Sequence, residues 1–138
     1  MVIMSVDLGK SRTGLAISDK TGFLASPLDT IFEKNTNVLV EKITEIAKDK
    51  KVELFVIGLP KNMDGSEGES ATNARNFANM LKEHSDIDYV MQDERMTTIT
   101  AHNYLSERNV RGEKRKKAVD TVAASIILQD YLDKERNK

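Results

Sequence analysis

The sequence predicts one α/β domain, spanning residues 1–138, with a five-stranded mixed sheet flanked by helices. Three observations predict it. Three strand-like runs lie close together at the start of the chain, two short apolar runs follow, and segments with helical periodicity come between and after those two. Closely spaced strands favour antiparallel pairing, whereas strands separated by helices favour parallel pairing. A length of 138 residues suits one domain.

The first three strands are predicted at Val2–Val6, Gly14–Ser18 and Phe23–Ile31. The first run is apolar and stops at Asp7. Pro27 lacks a backbone N–H, so we expect the third strand at an edge of the sheet.

The rest of the chain alternates between helical and strand patterns. A first helix is predicted after the capping residues Asn35–Asn37, and it ends at the mostly basic Lys48–Lys51. The later predicted elements are the strand Leu54–Ile57, the helix Ser70–Glu83, the strand Tyr89–Met91, the helix Thr98–Leu105, the charged loop Glu107–Lys117 and the helix Ala118–Lys134.

The composition excludes several kinds of site. The chain has no cysteine and two histidines, which excludes disulfides, thiolate metal sites, a thiol nucleophile and a multi-histidine metal site. Any metal must therefore be held mainly by carboxylates, which favours hard cations such as Mg²⁺ or Mn²⁺. With no Trp, three Tyr and four Phe, the chain is a poor aromatic platform for single strands.

No feature of the sequence predicts a membrane partner. The first apolar run has no cationic lead, and no apolar stretch approaches the roughly 18 residues that a membrane span needs. We therefore expect a cytoplasmic protein.

Acidic residues stand at three places that an α/β domain can bring together. Asp7 ends the first strand, where burying a carboxylate is costly without a partner. Asp93 and Glu94 end the fifth strand, and Asp120 lies one turn into the apolar last helix. Each acid could instead serve a local turn or helix cap. The presence of all of them favours the interpretation of Asp120 as a ligand.

Cationic and hydroxyl side chains flank these acids. The segment Glu107–Lys117 has six basic and two acidic residues, so it carries +4 in a chain of net charge -1. A charge run is commonly a solvated surface, but beside a carboxylate cluster it suits a phosphodiester substrate. The candidate nucleic-acid-binding residues are Arg12, Lys61, Arg95, Thr97, Thr98, Arg111, Lys114, Arg115, Lys116 and Lys117.

Four motifs together resemble one known family. They are Asp7-x-Gly9-x-x-Arg12-x-Gly14-x-Ala16, then Gly58-Leu59-Pro60 with Gly65 and Gly68, then Asp93-Glu94-Arg95-x-Thr97-Thr98, then Asp120-x-x-Ala123-Ala124-x-x-Ile127-Leu128. In this order they resemble the YqgF (RuvX) family over almost the whole chain. The resemblance implies a ribonuclease H-like fold and a metal-dependent nuclease. It further implies a role in 5′-end processing of pre-16S rRNA or, alternatively, a Holliday junction resolvase-like DNA endonuclease.

The resemblance also implies the roles of the acids. Asp7 would be the central catalytic metal ligand, Asp120 the ligand from the last helix, and Glu94 the intermediate ligand, with Asp93 less favoured. The metal would be Mg²⁺ or Mn²⁺. The wider superfamily often has an acid at the end of the strand that follows the first helix. In this chain that strand is ended by Gly58-Leu59-Pro60, which has no carboxylate. Glu94 would then reach across two strand spacings, roughly 10 Å.

Alternatives remain open at this stage. The partner could be structured RNA, such as pre-16S rRNA, or branched DNA, since both present the same phosphates. A decayed site would leave a non-catalytic nucleic-acid- or ribosome-associated binding protein. An actin-like or sugar-kinase-like ATPase shares the Asp-x-Gly turn but normally needs two such domains. No exposed apolar stripe commits the chain to strong dimerisation, so we expect a monomer or a weak homodimer.

Overall fold

Five strands form one mixed sheet. The computed structural model describes residues 1–94 and 112–138, with side chains in the last helix described from residue 119 onward. The elements are β1 (Ile3–Asp7), β2 (Arg12–Ser18), β3 (Ala25–Phe32), α1 (Thr36–Asp49), β4 (Leu54–Leu59), α2 (Glu69–Ser85), β5 (Asp88–Asp93) and α3 (Gly112–Arg136). The strand order is β3-β2-β1-β4-β5. Strand β1 pairs antiparallel with β2 and parallel with β4. Further out, β3 pairs antiparallel with β2, and β5 pairs parallel with β4. The predicted α/β class and mixed sheet are confirmed.

Two sequence signals correctly predict the position of β3 and the start of α1. Strand β3, which contains Pro27, lies at an edge of the sheet. The side chain of Asn35 caps α1 by accepting a 3.1 Å hydrogen bond from the Val38 backbone N–H. Such a cap satisfies one of the N–H groups that a helix start leaves unpaired.

The sheet separates two apolar layers because side chains alternate between its faces. On β1, Met4 and Val6 pack with buried residues of α1 and α2. Ile3 packs instead with buried residues of α3. Asp7 has the same parity as Ile3 and Ser5, so it stands on the α3 face at the carboxyl end of β1.

Helix α3 begins earlier than the sequence predicts. It starts at Gly112, so the expectation that residues 112–117 belong to a charged loop is wrong. Lysine, arginine and glutamate are good helix formers, and they extend the helix beyond the apolar pattern that starts near residue 118. The predicted helix Thr98–Leu105 and residues 107–111 of the predicted loop lie outside the described residues.

Close contact between α3 and the sheet is possible because β2 carries a glycine. A Cβ at Gly14 would lie 2.1 Å from the Asp120 carbonyl oxygen. The close neighbour of Gly14 is therefore the backbone of α3. A second contact lies one helical turn further on, where the buried Ser5 hydroxyl donates a 2.6 Å hydrogen bond to the Ala124 carbonyl.

None of the described helices combines the length and the apolar character that a bilayer-crossing segment requires.

Replacing Gly14 by alanine is expected to lower the free energy of unfolding by about 2–3 kcal/mol, because α3 must move away from β2. Urea denaturation measures this change. Gly68→Ala is the matched control, since its Cβ would meet only the Asn62 side chain at 3.8 Å. The control should cost less than about 1 kcal/mol. Equal costs at the two positions would refute the role assigned to Gly14.

Candidate active site

Two carboxyl groups meet at the carboxyl edge of the sheet. Asp7 is the last residue of β1 and pairs in register with Gly14 of β2. Glu94 directly follows β5, and its backbone N–H donates a 3.2 Å hydrogen bond to the Leu59 carbonyl. A side-chain hydrogen bond joins Asp7 and Glu94.

Gly58 makes this meeting possible. Strand β4 lies between β1 and β5, so Glu94 starts two strands away from Asp7, as the family resemblance implied. A Cβ at Gly58 would lie 2.6 Å from Glu94 Oε2. Any larger side chain on β4 would therefore occupy the space through which Glu94 crosses.

Sequence reasoning missed this role of Gly58, because it placed the end of the strand at Ile57. The strand continues through Gly58 to Leu59. A glycine inside an apolar strand commonly marks the close approach of another group, and this was the available signal.

The alternation of β5 separates Asp93 from Glu94. Tyr89 donates a 2.7 Å hydrogen bond to Asn79 of α2, and Met91 packs on the same layer. Val90 packs on the α3 layer instead. Asp93 continues the parity of Tyr89 and Met91, whereas Glu94 stands on the α3 face with Asp7. The geometry therefore favours Glu94 over Asp93 as the middle acid.

Asp120 approaches the pair from α3. Its backbone lies over Gly14, the register partner of Asp7. Arg12 Nε lies 3.4 Å from Asp120 Oδ2 as an ion pair. Within the described part of the chain, this buried oxygen accepts no hydrogen bond. Asp120 Oδ2 is therefore paired with a charge but accepts no hydrogen bond, and it lies close enough for its charge to affect Asp7.

The electrostatics of the cluster favour neutral carboxyl groups. Burial raises the pKa of Asp7 to about 6, an effect that the hydrogen bond with Glu94 opposes and the charge of Asp120 reinforces. Burial and then the charge of Asp7 raise the pKa of Glu94 to about 9. Burial also raises the pKa of Asp120, against the effect of Arg12. At neutral pH, Asp7 and Glu94 therefore share one proton.

The residues present fit a hard divalent cation. Asp7 and Glu94 would hold such a cation in place of their shared proton, and the Asp120 oxygen that accepts no hydrogen bond offers a further donor. The described side chains contain no ready-made group of three His, Cys, Asp or Glu residues around one point. A magnesium ion does not require one, because it keeps several waters and uses one or two carboxylates plus substrate phosphate.

The other predicted site residues divide into two groups. Arg12 lies in the cluster. Lys61 lies in the loop after β4, at the same edge of the sheet, where its backbone forms an isolated β-bridge with Glu67. The remaining candidates fall where the structure gives no side-chain description. Arg95, Thr97, Thr98 and Arg111 lie outside the described residues, and Lys114, Arg115, Lys116 and Lys117 are described only as backbone in the first turns of α3.

Comparisons with known proteins show the family to which the chain belongs. The family model for RuvX, described as Holliday junction resolvase, matches residues 1–134. The chain belongs to the RuvX family. A relative from Clostridium novyi (strain NT), named "Putative pre-16S rRNA nuclease", is 40% identical over 133 residues, which is 96% of this chain and 98% of that protein. A relative of the same name from Clostridium botulinum (strain Alaska E43 / Type E3) is 43% identical over 134 residues, 97% of this chain and 98% of that one.

Solved structures confirm the ribonuclease H-like fold expected for a RuvX protein. The chain resembles T. thermophilus RuvC in complex with Holliday junction substrate with a TM-score of 0.62 at 10% identity, covering 100% of this chain and 97% of that one. It resembles the fowlpox virus Holliday junction resolvase with a TM-score of 0.57 at 14% identity, covering 97% and 99%. At sequence identities this low, the likeness shows the fold alone.

Glu94→Gln is expected to make the metal-free protein more stable, increasingly so as pH rises. The raised pKa means that the contribution of Glu94 to stability is complete below the ordinary glutamate pKa of 4.5 and is lost as pH rises through about 9. Glutamine keeps a donor to Asp7 and cannot ionise. At pH 8 we expect the variant to exceed the wild type by at least about 1 kcal/mol, since one pKa unit corresponds to about 1.4 kcal/mol.

Chemical denaturation in metal-free buffer at pH 5 and pH 8 measures this difference. Glu53→Gln, at an exposed position, is the control and should leave the pH dependence unchanged. A stability gain for Glu94→Gln that is the same at both pH values would contradict the buried, proton-sharing pair.

Proposed function

We propose that this RuvX-family chain acts as a single ribonuclease H-like nuclease domain that hydrolyses phosphodiester bonds with Mg²⁺ or Mn²⁺. The observation that carries the proposal is the Asp7–Glu94 carboxyl pair over Gly58, with Asp120 and Arg12 beside it. Buried carboxylates in this number are costly unless a cation or protons compensate them. Family membership supports the same activity.

The protein groups have distinct roles in this mechanism. Asp7, Glu94 and Asp120 would hold the cation, and the bound cation would supply an activated water and charge stabilisation of the leaving oxygen. The proton shared by Asp7 and Glu94 must leave before both can act as ligands, so metal binding strengthens with rising pH. Arg12 is held by Asp120 and is more than one-third exposed, so its guanidinium can reach a substrate phosphate.

The preferred substrate is structured RNA, and in particular the 5′ region of pre-16S rRNA. The relatives at 40% and 43% identity carry that name over nearly their whole length. Branched DNA is the second candidate, favoured by the description of the RuvX family and by the likeness to the RuvC fold. Lys61 and the basic first turns of α3 would hold the flanking phosphates in either case.

Asp7→Asn is expected to reduce metal-dependent cleavage by at least about 100-fold, because it removes a charged ligand next to the reacting phosphate. The measurement is a cleavage panel of precursor rRNA, four-way junction DNA and control duplex, with Mg²⁺, with Mn²⁺ and with EDTA. EDTA should abolish cleavage by the wild type.

Asp93→Asn is the matched control, because Asp93 stands on the opposite face of the sheet and should leave the rate within a few-fold. Undiminished cleavage by purified Asp7→Asn would overturn the assignment of the site. A wild type that neither cleaves any substrate nor binds Mn²⁺ would favour a non-catalytic binding protein.

A further inference from the structure

A groove lies between α1 and α2, on the face of the sheet opposite the carboxyl pair. Its volume is about 480 Å³, within the range of ligand-binding pockets. The floor is apolar and includes Leu8, Leu39, Pro60, Phe77 and Met80. The rim is polar and includes Lys10, Lys34, Ser70, Asn73 and Asn76.

The groove opens at the same edge of the sheet as the carboxyl pair. Leu8 and Gly9 directly follow Asp7 along the chain. Pro60 follows Leu59, whose carbonyl accepts the Glu94 backbone N–H. A nucleic-acid strand that crosses this edge of the sheet would therefore pass from the acids on the α3 face to the groove on the α1/α2 face.

The mouth of the groove carries uncompensated positive charge. Lys10 and Lys34 are exposed, and neither forms an ion pair within the described part of the chain. Glu33, the acid in the wall, is already paired with Lys42 at 3.0 Å. The Glu33 backbone N–H donates a 3.0 Å hydrogen bond to the Ser11 carbonyl, which ties the two lysine-bearing segments together.

We propose that this groove binds one nucleotide of the substrate strand, next to the phosphodiester bond that is cut. Lys10 and Lys34 hold its phosphate, the apolar floor contacts its base, and the Asn73 and Asn76 amides can pair with the polar edge of that base. The two lysines favour a phosphate-bearing occupant, and the continuity with the carboxyl edge favours a nucleic-acid strand over a separate small molecule. The identity of the strand as substrate rests on the proposed nuclease function.

The test measures nucleic-acid binding without cleavage. Fluorescence anisotropy in EDTA gives the Kd of a labelled single-stranded RNA of about 20 nucleotides for the wild type and for a Lys10→Ala/Lys34→Ala double variant. At most two phosphate contacts are lost, so we expect up to about a tenfold weaker Kd near 100 mM salt and a log–log salt slope that is smaller by at most about 1.4. Asn76→Glu, an exposed substitution that puts a carboxylate on the rim, should weaken binding in the same direction.

The matched control is a Lys20→Ala/Lys48→Ala double variant. Lys20 follows β2 and Lys48 is in the last turn of α1, so both lie away from the groove. This control should bind within about twofold of the wild type, since surface phosphate contacts are local. Thermal unfolding of every variant verifies that the fold is intact.

The outcomes separate the groove from the proposed nuclease function. Equal binding by the groove and control variants, or no binding of any nucleic acid by the wild type, overturns the groove. Displacement of the RNA by micromolar free mononucleotide overturns it in favour of a small-molecule site. Groove-dependent binding by a wild type that never cleaves supports the groove and overturns the nuclease. In an active wild type, the groove variant should raise KM and leave kcat unchanged, because this contact is made equally before and during the reaction.

Discussion

The rest of the site depends on one contact, the meeting of two buried carboxyl groups over a strand that has no side chain at the crossing point. Asp7 and Glu94 come from strands that are not neighbours, and only the missing Cβ of Gly58 lets them touch. Two negative charges cannot remain there uncompensated. The molecule must supply a proton or a cation, so the same contact sets both the titration of the pair and its fitness for a metal.

The third acid is placed by packing rather than by the sheet. Helix α3 lies close to β2 because Gly14 has no side chain, and Ser5 anchors the helix one turn beyond Asp120. The two glycines therefore solve the same steric problem on two strands. Gly58 leaves room for the Glu94 side chain, and Gly14 leaves room for the backbone of α3 at Asp120. Both bring groups close together on the α3 face of the sheet, whereas the opposite face carries a groove between α1 and α2.

Much of the fold could be predicted because its signals are local. The edge position of β3 follows from Pro27, and the start of α1 follows from the capping side chain of Asn35. The early start of α3 could not be predicted from apolar spacing, because a charged helix start has no apolar periodicity. The choice between Asp93 and Glu94 depends on strand parity, and a shift of one residue reverses the face of a side chain. A strand predicted to end at residue 91 cannot settle that choice.

The hydrogen bond between Ser5 and Ala124 joins positions 119 residues apart in the chain. The entropy of closing so long a loop opposes this contact until the elements between the two positions bring its ends together. The sheet and its α1/α2 layer can form without this bond, whereas the position of Asp120 cannot be fixed without the contacts that hold α3. We therefore expect the carboxyl edge to be completed late in folding, and we expect a chain with a completed sheet but an undocked last helix to lack Asp120 at that edge.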